Sequence, residues 1–139
     1  YIGEELTAAE LNAKSQKYKR VYAGDFTYNP HRINVGSIGI VPQLANNMYV
    51  SSIYPVFRII NINEIPNYYL LRLLKLAEYK VIINDYCLGG ARADLKLEWL
   101  SRIKLELPSK DDIQKISKLS QKMDAAYNRY RQLLKELIN

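Results

Sequence analysis

The sequence predicts a mixed α/β (α+β) fold, in which a β-rich body with packed helices is followed by one long helix. Three observations carry that expectation. Residues 18–60 break into short β-branched and aromatic runs punctuated by Gly, Asn and Pro. Residues 69–77 then switch to apolar positions recurring every three or four residues, and from Ser109 to the end that spacing runs without a break. Pro108 marks the change, so the chain divides into a body at 1–107 and a helical segment at 108–139.

Within the body, residues 1–17 are polar and tolerate a helix, and Thr7-Ala8-Ala9-Glu10 has the spacing of a capping box, but their apolar pattern is too thin to fix a structure. Val21-Tyr22 runs into the turn Gly24-Asp25, and Phe26-Thr27-Tyr28 alternates before Asn29-Pro30 stops it, giving two short strands. After a loop at 31–35, the segment 36–41 reads as extended, with Gly36 and Gly39 leaving one face bare for another backbone or a ligand. Residues 42–47 form a turn, 48–51 a brief strand and 54–60 a longer one, with Pro55 near its start where the missing N–H does least harm. Asn63 can cap a helix with Pro66 in its first turn. Tyr69, Leu70, Leu73, Leu74 and Ala77 form the stripe that packs it on the sheet, with Arg72, Lys75 and Lys80 on its other face. Val81 to Ile83 can form another strand, 88–94 is a glycine-containing loop, 97–100 a short turn, and the alternation of Ile103, Leu105 and Leu107 a last strand before Pro108.

The long helix has the clearest local signals. Ser109 supplies an N-cap hydroxyl, and Asp111 and Asp112 place negative charge at the positive end of the helix dipole. At 1.5 Å per residue it would run roughly 45 Å, more than a body of this size can shield. Ile116, Met123, Tyr130 and Leu137 occupy one heptad position and Leu119, Ala126 and Leu133 the other, which is the seam of a coiled coil. Ile113, Tyr127 and Leu134 widen that stripe, and Lys115, Lys118, Lys122, Arg129, Arg131 and Lys135 fill the polar face. The seam therefore needs a second helix, unless it folds back on its own body.

Composition narrows the classes. The 139 residues are 48% hydrophobic, enough for one ordinary core. Twenty Lys and Arg against 14 Asp and Glu give a net charge of +6, with a pI near 9.3, which favours a polyanionic partner without requiring one. Cys87 is the single cysteine, so neither an intrachain disulfide nor a thiolate metal cluster is available, and a cytoplasmic location is the expectation. No apolar run approaches the roughly 18 residues that suggest a membrane span, and no leader opens the chain. The missing initiator Met and the abrupt opening suggest a fragment.

A catalytic reading lacks its groups. His31 is the single histidine, which rules out a His-paired nucleophile with a second histidine or a multi-His metal site within the chain. Glu4, Glu5, Asp25, Asp111 and Asp112 sit where caps or solvated ends account for them. Gly36-Ser37-Ile38-Gly39 has neither the Lys-Ser/Thr of a phosphate loop nor dinucleotide spacing, and Asn29-Pro30-His31 only superficially resembles the Asn-Pro-Pro-Tyr type of signature of amino-methylating enzymes. Catalytic and metal-ligating residues are therefore expected to be absent. Binding has more material. Lys14, Lys17, Lys19, Arg20, His31 and Arg32 bracket the first strands, and Arg92 and Lys96 sit on the glycine loop, with Tyr18, Tyr22, Tyr28 and Tyr86 interleaved. Phosphates take mobile cations and base edges take Arg, Asn or Gln on held loops. By loop position and chemistry, Arg32, Asn34 and Arg92 are candidates for base or groove contacts, and Lys14, Lys17, Lys19 and Lys96 for phosphates. A solvated basic face over core tyrosines would look similar.

Taken in order, Tyr18-Lys19-Arg20-Val21-Tyr22-Ala23-Gly24-Asp25-Phe26-Thr27-Tyr28-Asn29, then Arg32 and Gly36-Ser37-Ile38-Gly39, then Val50-Ser51-Ser52-Ile53-Tyr54-Pro55-Val56-Phe57, resemble part of a target recognition domain from the specificity (S) subunits of type I restriction-modification systems. Gly89-Gly90-Ala91-Arg92-Ala93-Asp94-Leu95, followed by Leu100, Ile103 and the run from Leu105 to Pro108, resembles that family's closing segment, and Gln114 and Ile116 fall where its helix begins. No single piece is specific, but their succession is.

The resemblance implies a non-catalytic DNA-reading subunit in which two recognition domains, each reading half of a split target, are held apart by helices that pair as a coiled coil and dock methylation subunits. The family's opening helix and strand are missing here. The chain thus resembles an N-terminally incomplete C-terminal domain of an S subunit, or a half-subunit that dimerises. Implied partners are double-stranded DNA, the methylation (M) and restriction (R) subunits, and a second recognition domain or second copy through the helix, with no membrane involved. No cofactor is implied for this chain; S-adenosylmethionine, ATP and Mg belong to the partner subunits. Related recognition domains fused to type II methyltransferases or restriction enzymes stay open as alternatives, as do a pure protein-interaction module and a nuclease or methyltransferase fragment.

Overall fold

The computed structural model describes residues 5–7, 17–87 and 95–139. Among these, six strands form two three-stranded antiparallel sheets. β1 (Glu5–Thr7), β2 (Lys17–Val21) and β5 (Met48–Ser51) lie in the order β1-β2-β5, and β3 (Phe26–Tyr28), β4 (Ile38–Ile40) and β6 (Val56–Phe57) in the order β4-β3-β6. The helices α1 (Asn67–Leu74), α2 (Ala77–Cys87), α3 (Leu97–Leu100) and α4 (Lys110–Ile138) follow, giving the mixed architecture expected. The capping-box reading at 7–10 falls on residues 8–10, outside the described set.

Alternation builds the core. Phe26 and Tyr28 are buried while Thr27 between them is only half-buried, so one face of β3 turns inward. Phe26 stacks on Phe57, its register partner in β6, with centroids 4.9 Å apart and planes 8° from parallel. Leu70, Leu71 and Leu74 of α1, Ile83 of α2, and Leu95, Leu100 and Ile103 close over that face. A smaller cluster of Val21, Val41 and Val56 joins the two sheets on the other side.

The sheets meet at the turn from β2 to β3. Gly24 takes φ +90°, a region costly for any residue with a Cβ. Its N–H donates to Val41 O at 2.9 Å, and its carbonyl accepts from Asn67 Nδ2 at 3.1 Å. Beside it the fully buried Asp25 carboxylate accepts from Tyr22 N at 2.9 Å through Oδ2, while Arg58 Nε at 2.7 Å and its terminal nitrogen at 2.6 Å converge on Oδ1.

Several expectations fail for identifiable reasons. The strand at 54–60 shrinks to Val56–Phe57, which pair with Thr27 and Phe26 of β3; beyond them Arg58 turns to Asp25 and Ile60 ends 95% exposed. Asn63 does not cap α1, which starts after Pro66 held extended at ψ 146°, and the polar turn before it closes through Asn61 and Glu64. Val81 to Ile83 are not a strand but the middle of α2, which sinks Ile83 fully into the core and leaves Val81 and Ile82 outside. Here tertiary packing overrides the strand preference of β-branched residues. Among the described residues no strand neighbours Ile103, Leu105 and Leu107: the Glu106 carbonyl instead accepts from the Tyr69 hydroxyl at 3.3 Å, and Glu106 N donates to the Tyr79 hydroxyl at 3.3 Å. Burial and then neighbouring Tyr79 push the Tyr69 phenol above its ordinary 10.0, so it stays a neutral donor.

The end of the chain follows its signals closely. Ser109 Oγ accepts from Asp112 N at 3.2 Å, and α4 runs 29 residues. Its first half packs against α1 through buried Ile113 and Ser120, with Asp124 3.5 Å from the Arg72 guanidinium. No helix among the described residues is long and apolar enough to cross a membrane.

Removing Arg58 would strand a buried carboxylate with one remaining N–H donor. Arg58→Ala is expected to cost about 1–3 kcal/mol in urea unfolding, less than a fully buried pair would, because the guanidinium is 43% exposed and water can reach the gap it leaves. Adding Asp25→Asn to it should recover part of that loss, because a neutral amide costs less to bury.

Candidate nucleic-acid interface

The turn between β3 and β4 presents side chains because its backbone satisfies itself. Asn29 N donates to Ser37 O at 3.1 Å, Arg32 N to Asn29 O at 3.0 Å, and Gly36 N to Ile33 O at 2.9 Å with Gly36 at φ +91°. Asn29 Oδ1 also accepts from His31 N at 3.0 Å. Ile33 plugs into the core at 1% exposure, which anchors the turn from beneath and leaves Arg32 outside. Asn34 is half-buried and its Nδ2 donates to Asn84 Oδ1 of α2 at 3.3 Å. A Cβ at Gly36 would stand 3.6 Å from the Lys80 ammonium, so α2 props the turn at a second point.

Next to this turn is an open cleft of about 420 Å³ whose lining includes Lys19, His31, Ile53, Pro55, Lys96 and Leu97. Lys19 projects from β2 and its Nζ donates to Tyr54 O at 3.2 Å. Lys96 is placed by the residue before it: Leu95 is fully buried, its N–H donates to Pro30 O at 3.1 Å, and its carbonyl accepts from the Tyr28 hydroxyl at 2.8 Å. Lys96 emerges from that anchor fully on the surface as α3 begins. Two ammonium groups and an imidazole thus share one concavity, and Arg32 follows His31 out of it. Such an arrangement suits phosphate oxygens in the cleft and a base edge or groove at the turn.

Of the residues singled out from sequence, Lys19 and Lys96 come together in the cleft, while Arg32 and Asn34 share the adjoining turn. Lys17 opens β2 opposite Thr7. Lys14 and Arg92 lie outside the described residues. Asn84 and Lys80 gain their relation to the turn only through helical α2; a strand at 81–83 hides it, since the i, i+4 spacing of these two residues matters only on a helix.

The predicted coiled-coil seam stands in solvent. Ile116, Leu119, Met123, Ala126, Tyr130, Leu133 and Leu137 are all exposed, from 36% at Ile116 to 83% at Leu137. The helix meets α1 with a different stripe, at 113, 117, 120 and 124, made mostly of small or polar side chains. Among the described residues no group of three His, Cys, Asp or Glu side chains could hold a metal ion.

A family model described as the type I restriction modification DNA specificity domain matches residues 1–138. No curated protein and no solved structure matches the chain.

Because Met123 is 55% exposed and lies off the stripe that faces α1, Met123→Asp should change the unfolding free energy of the monomer by less than about 0.5 kcal/mol. Urea unfolding checks this; a larger loss would mean that the seam is packed against the body.

Proposed function

The chain belongs to the type I restriction-modification DNA specificity domain family, and on that premise we propose that it reads one half of a split DNA target and docks methylation subunits through α4 without catalysing a reaction itself. The observation that carries the reading is the joining of Lys19, His31 and Lys96 in one cleft beside the Arg32 turn, within a chain that the family model matches almost from end to end.

The division of labour follows from charge and geometry. Lysines in the cleft hold phosphates and so set the register of the body on the duplex without carrying sequence information. Arg32, exposed on a turn anchored by Ile33, reaches a base edge in the major groove, where a guanidinium matches the two acceptors of guanine. Asn34, held by Asn84, supports that turn and borders the groove. The exposed seam of α4 meets an equivalent helix, antiparallel to it, from a second recognition domain or a second copy, so that helix length fixes the distance between half-sites. A pure interaction module would need the seam but not the cleft, and the family membership favours the reading that uses both.

Random-site selection with the assembled specificity and methylation subunits tests the proposal: a short defined half-site should be recovered, and no enrichment would sink it. On that site Arg32→Ala is expected to cost about 1–3 kcal/mol and relax one base position. Lys19→Ala and Lys96→Ala should instead weaken all sequences alike and reduce the slope of log K against log salt by about 0.9 each. Unchanged slopes would remove the lysines from the phosphate contacts.

A further inference from the structure

The β3–β4 hairpin that carries the Arg32 turn has a second face. Val41 N donates to Asp25 O at 2.8 Å and Asn29 N to Ser37 O at 3.1 Å, which fixes the positions that lie opposite each other between them. Side chains alternate, so Phe26, Tyr28 and Ile38 enter the core, while Thr27 beside Gly39 and Asn29 beside Ser37 take the other side. Toward Asp25 that side is covered, where Val41 and Val56 pack with Val21 of the first sheet. At Gly39 the cover has ended: among the described residues no heavy atom stands within 4 Å of where its Cβ would be. Gly39 has no positive φ, so its strand position would accept any side chain. A glycine kept in such a place leaves the backbone bare for a ligand or another backbone to come close.

The result is an open groove of about 310 Å³, with Thr27 and Gly39 in its floor and Asn29, Ser37 and Tyr54 around it. It runs into the basic cleft at three places. Asn29 is followed by Pro30, Tyr54 stands between Ile53 and Pro55, and Thr27 pairs with Val56, and in each case the neighbour lines the cleft. Lys19 Nζ, donating to Tyr54 O at 3.2 Å, sets a cleft cation on the border of the groove. No acidic side chain is among the described residues that line it, which offer hydroxyl and amide groups instead. Thr27 Oγ1 has no hydrogen-bond partner among them, so the floor holds a polar group that the body itself leaves unsatisfied. Uncharged hydroxyls and amides next to lysines are the groups that hold DNA phosphates and sugars.

We propose that this groove seats a sugar-phosphate segment of the bound duplex, the strand passing from the Lys19–His31–Lys96 cleft along the stem of the Arg32 turn, with Gly39 as the residue whose bareness admits it. This rests on the DNA-reading function proposed above and adds an uncharged positioning site to it. A turn whose tip enters a groove of the duplex has a backbone strand beside its stem, and here the stem is stripped of side chains on the side that continues the cleft. The contact fixes how deeply the turn can enter and carries no sequence information of its own.

The test fills the groove. Gly39→Ala and Gly39→Val are placed in the full chain, assembled with the methylation subunits, and measured by anisotropy on two fluorescein-labelled duplexes, one carrying the site recovered by selection and one of unrelated sequence. Neither change should lower the urea midpoint, because a strand gains from a side chain where there is room for it. Gly39→Val should weaken binding about tenfold or more, with Gly39→Ala between it and the wild type. The factor should be the same on both duplexes, since a backbone contact does not depend on sequence. Wild-type affinity in Gly39→Val overturns the proposal. So does a loss confined to the selected site, which would make the groove a base contact, and so does failed assembly, which would make it a docking surface for a methylation subunit. A lowered urea midpoint in both variants also overturns it, because the chain itself would then fill the groove. If the selection recovers no site, the DNA reading itself fails, an outcome distinct from a recovered site that Gly39→Val binds normally.

Discussion

The buried Asp25 carboxylate, clasped by Arg58 and the Tyr22 amide, is the constraint on which the arrangement of the body depends. Two short sheets have little area with which to fix their mutual orientation, and the valine cluster between them is small. Asp25 sits at the turn where the chain leaves one sheet for the other, and Arg58 arrives from just beyond β6, so the ion pair joins three segments at one point. A charge with no exposure stays in place only if its acceptors are filled, which makes the geometry nearly all-or-none. The basic cleft inherits that geometry, for Lys19 comes from the first sheet and His31 and Lys96 from the side of the second.

α1 passes the constraint on to α4. Its leucines close the core over β3, and on its other side Arg72 meets Asp124 while Ile113 and Ser120 pack closely. Small and polar residues at this second contact let the helices approach without using the apolar seam. The long helix is thus held to the body along its first half, with its coiled-coil positions left open. The body is thereby fixed to one stripe of the helix, and the apolar positions from Ile116 to Leu137 stay outside that contact.

Much of this was legible in residues that fix their own local structure. Gly24-Asp25, Asn29-Pro30, Ser109 and the seam from Ile116 to Leu137 each act within a few positions of themselves, and the turns, cap and exposed stripe follow. What was not legible depends on partners distant in sequence. Nothing near Val81 says that Ile83 will be needed in a core built from β3 and α1, and nothing near Leu105 says that two tyrosine hydroxyls will replace a neighbouring strand. The same holds for the interface. Lys19 and Lys96 were identifiable by charge, but their meeting is set by the Leu95 anchor to Pro30, and the ties of Asn84 and Lys80 to the turn appear only once α2 is helical.

The account's central claim is that the body before Pro108 carries the sequence preference and α4 carries the assembly. Grafting residues 1–107 in place of one recognition domain of a specificity subunit with a known split target, with the host's helices retained, tests it most directly. Mapping the methylated sites should show one half of the target replaced, with the other half and the spacing between them kept. An unchanged target, or an altered spacing with both halves intact, would contradict it.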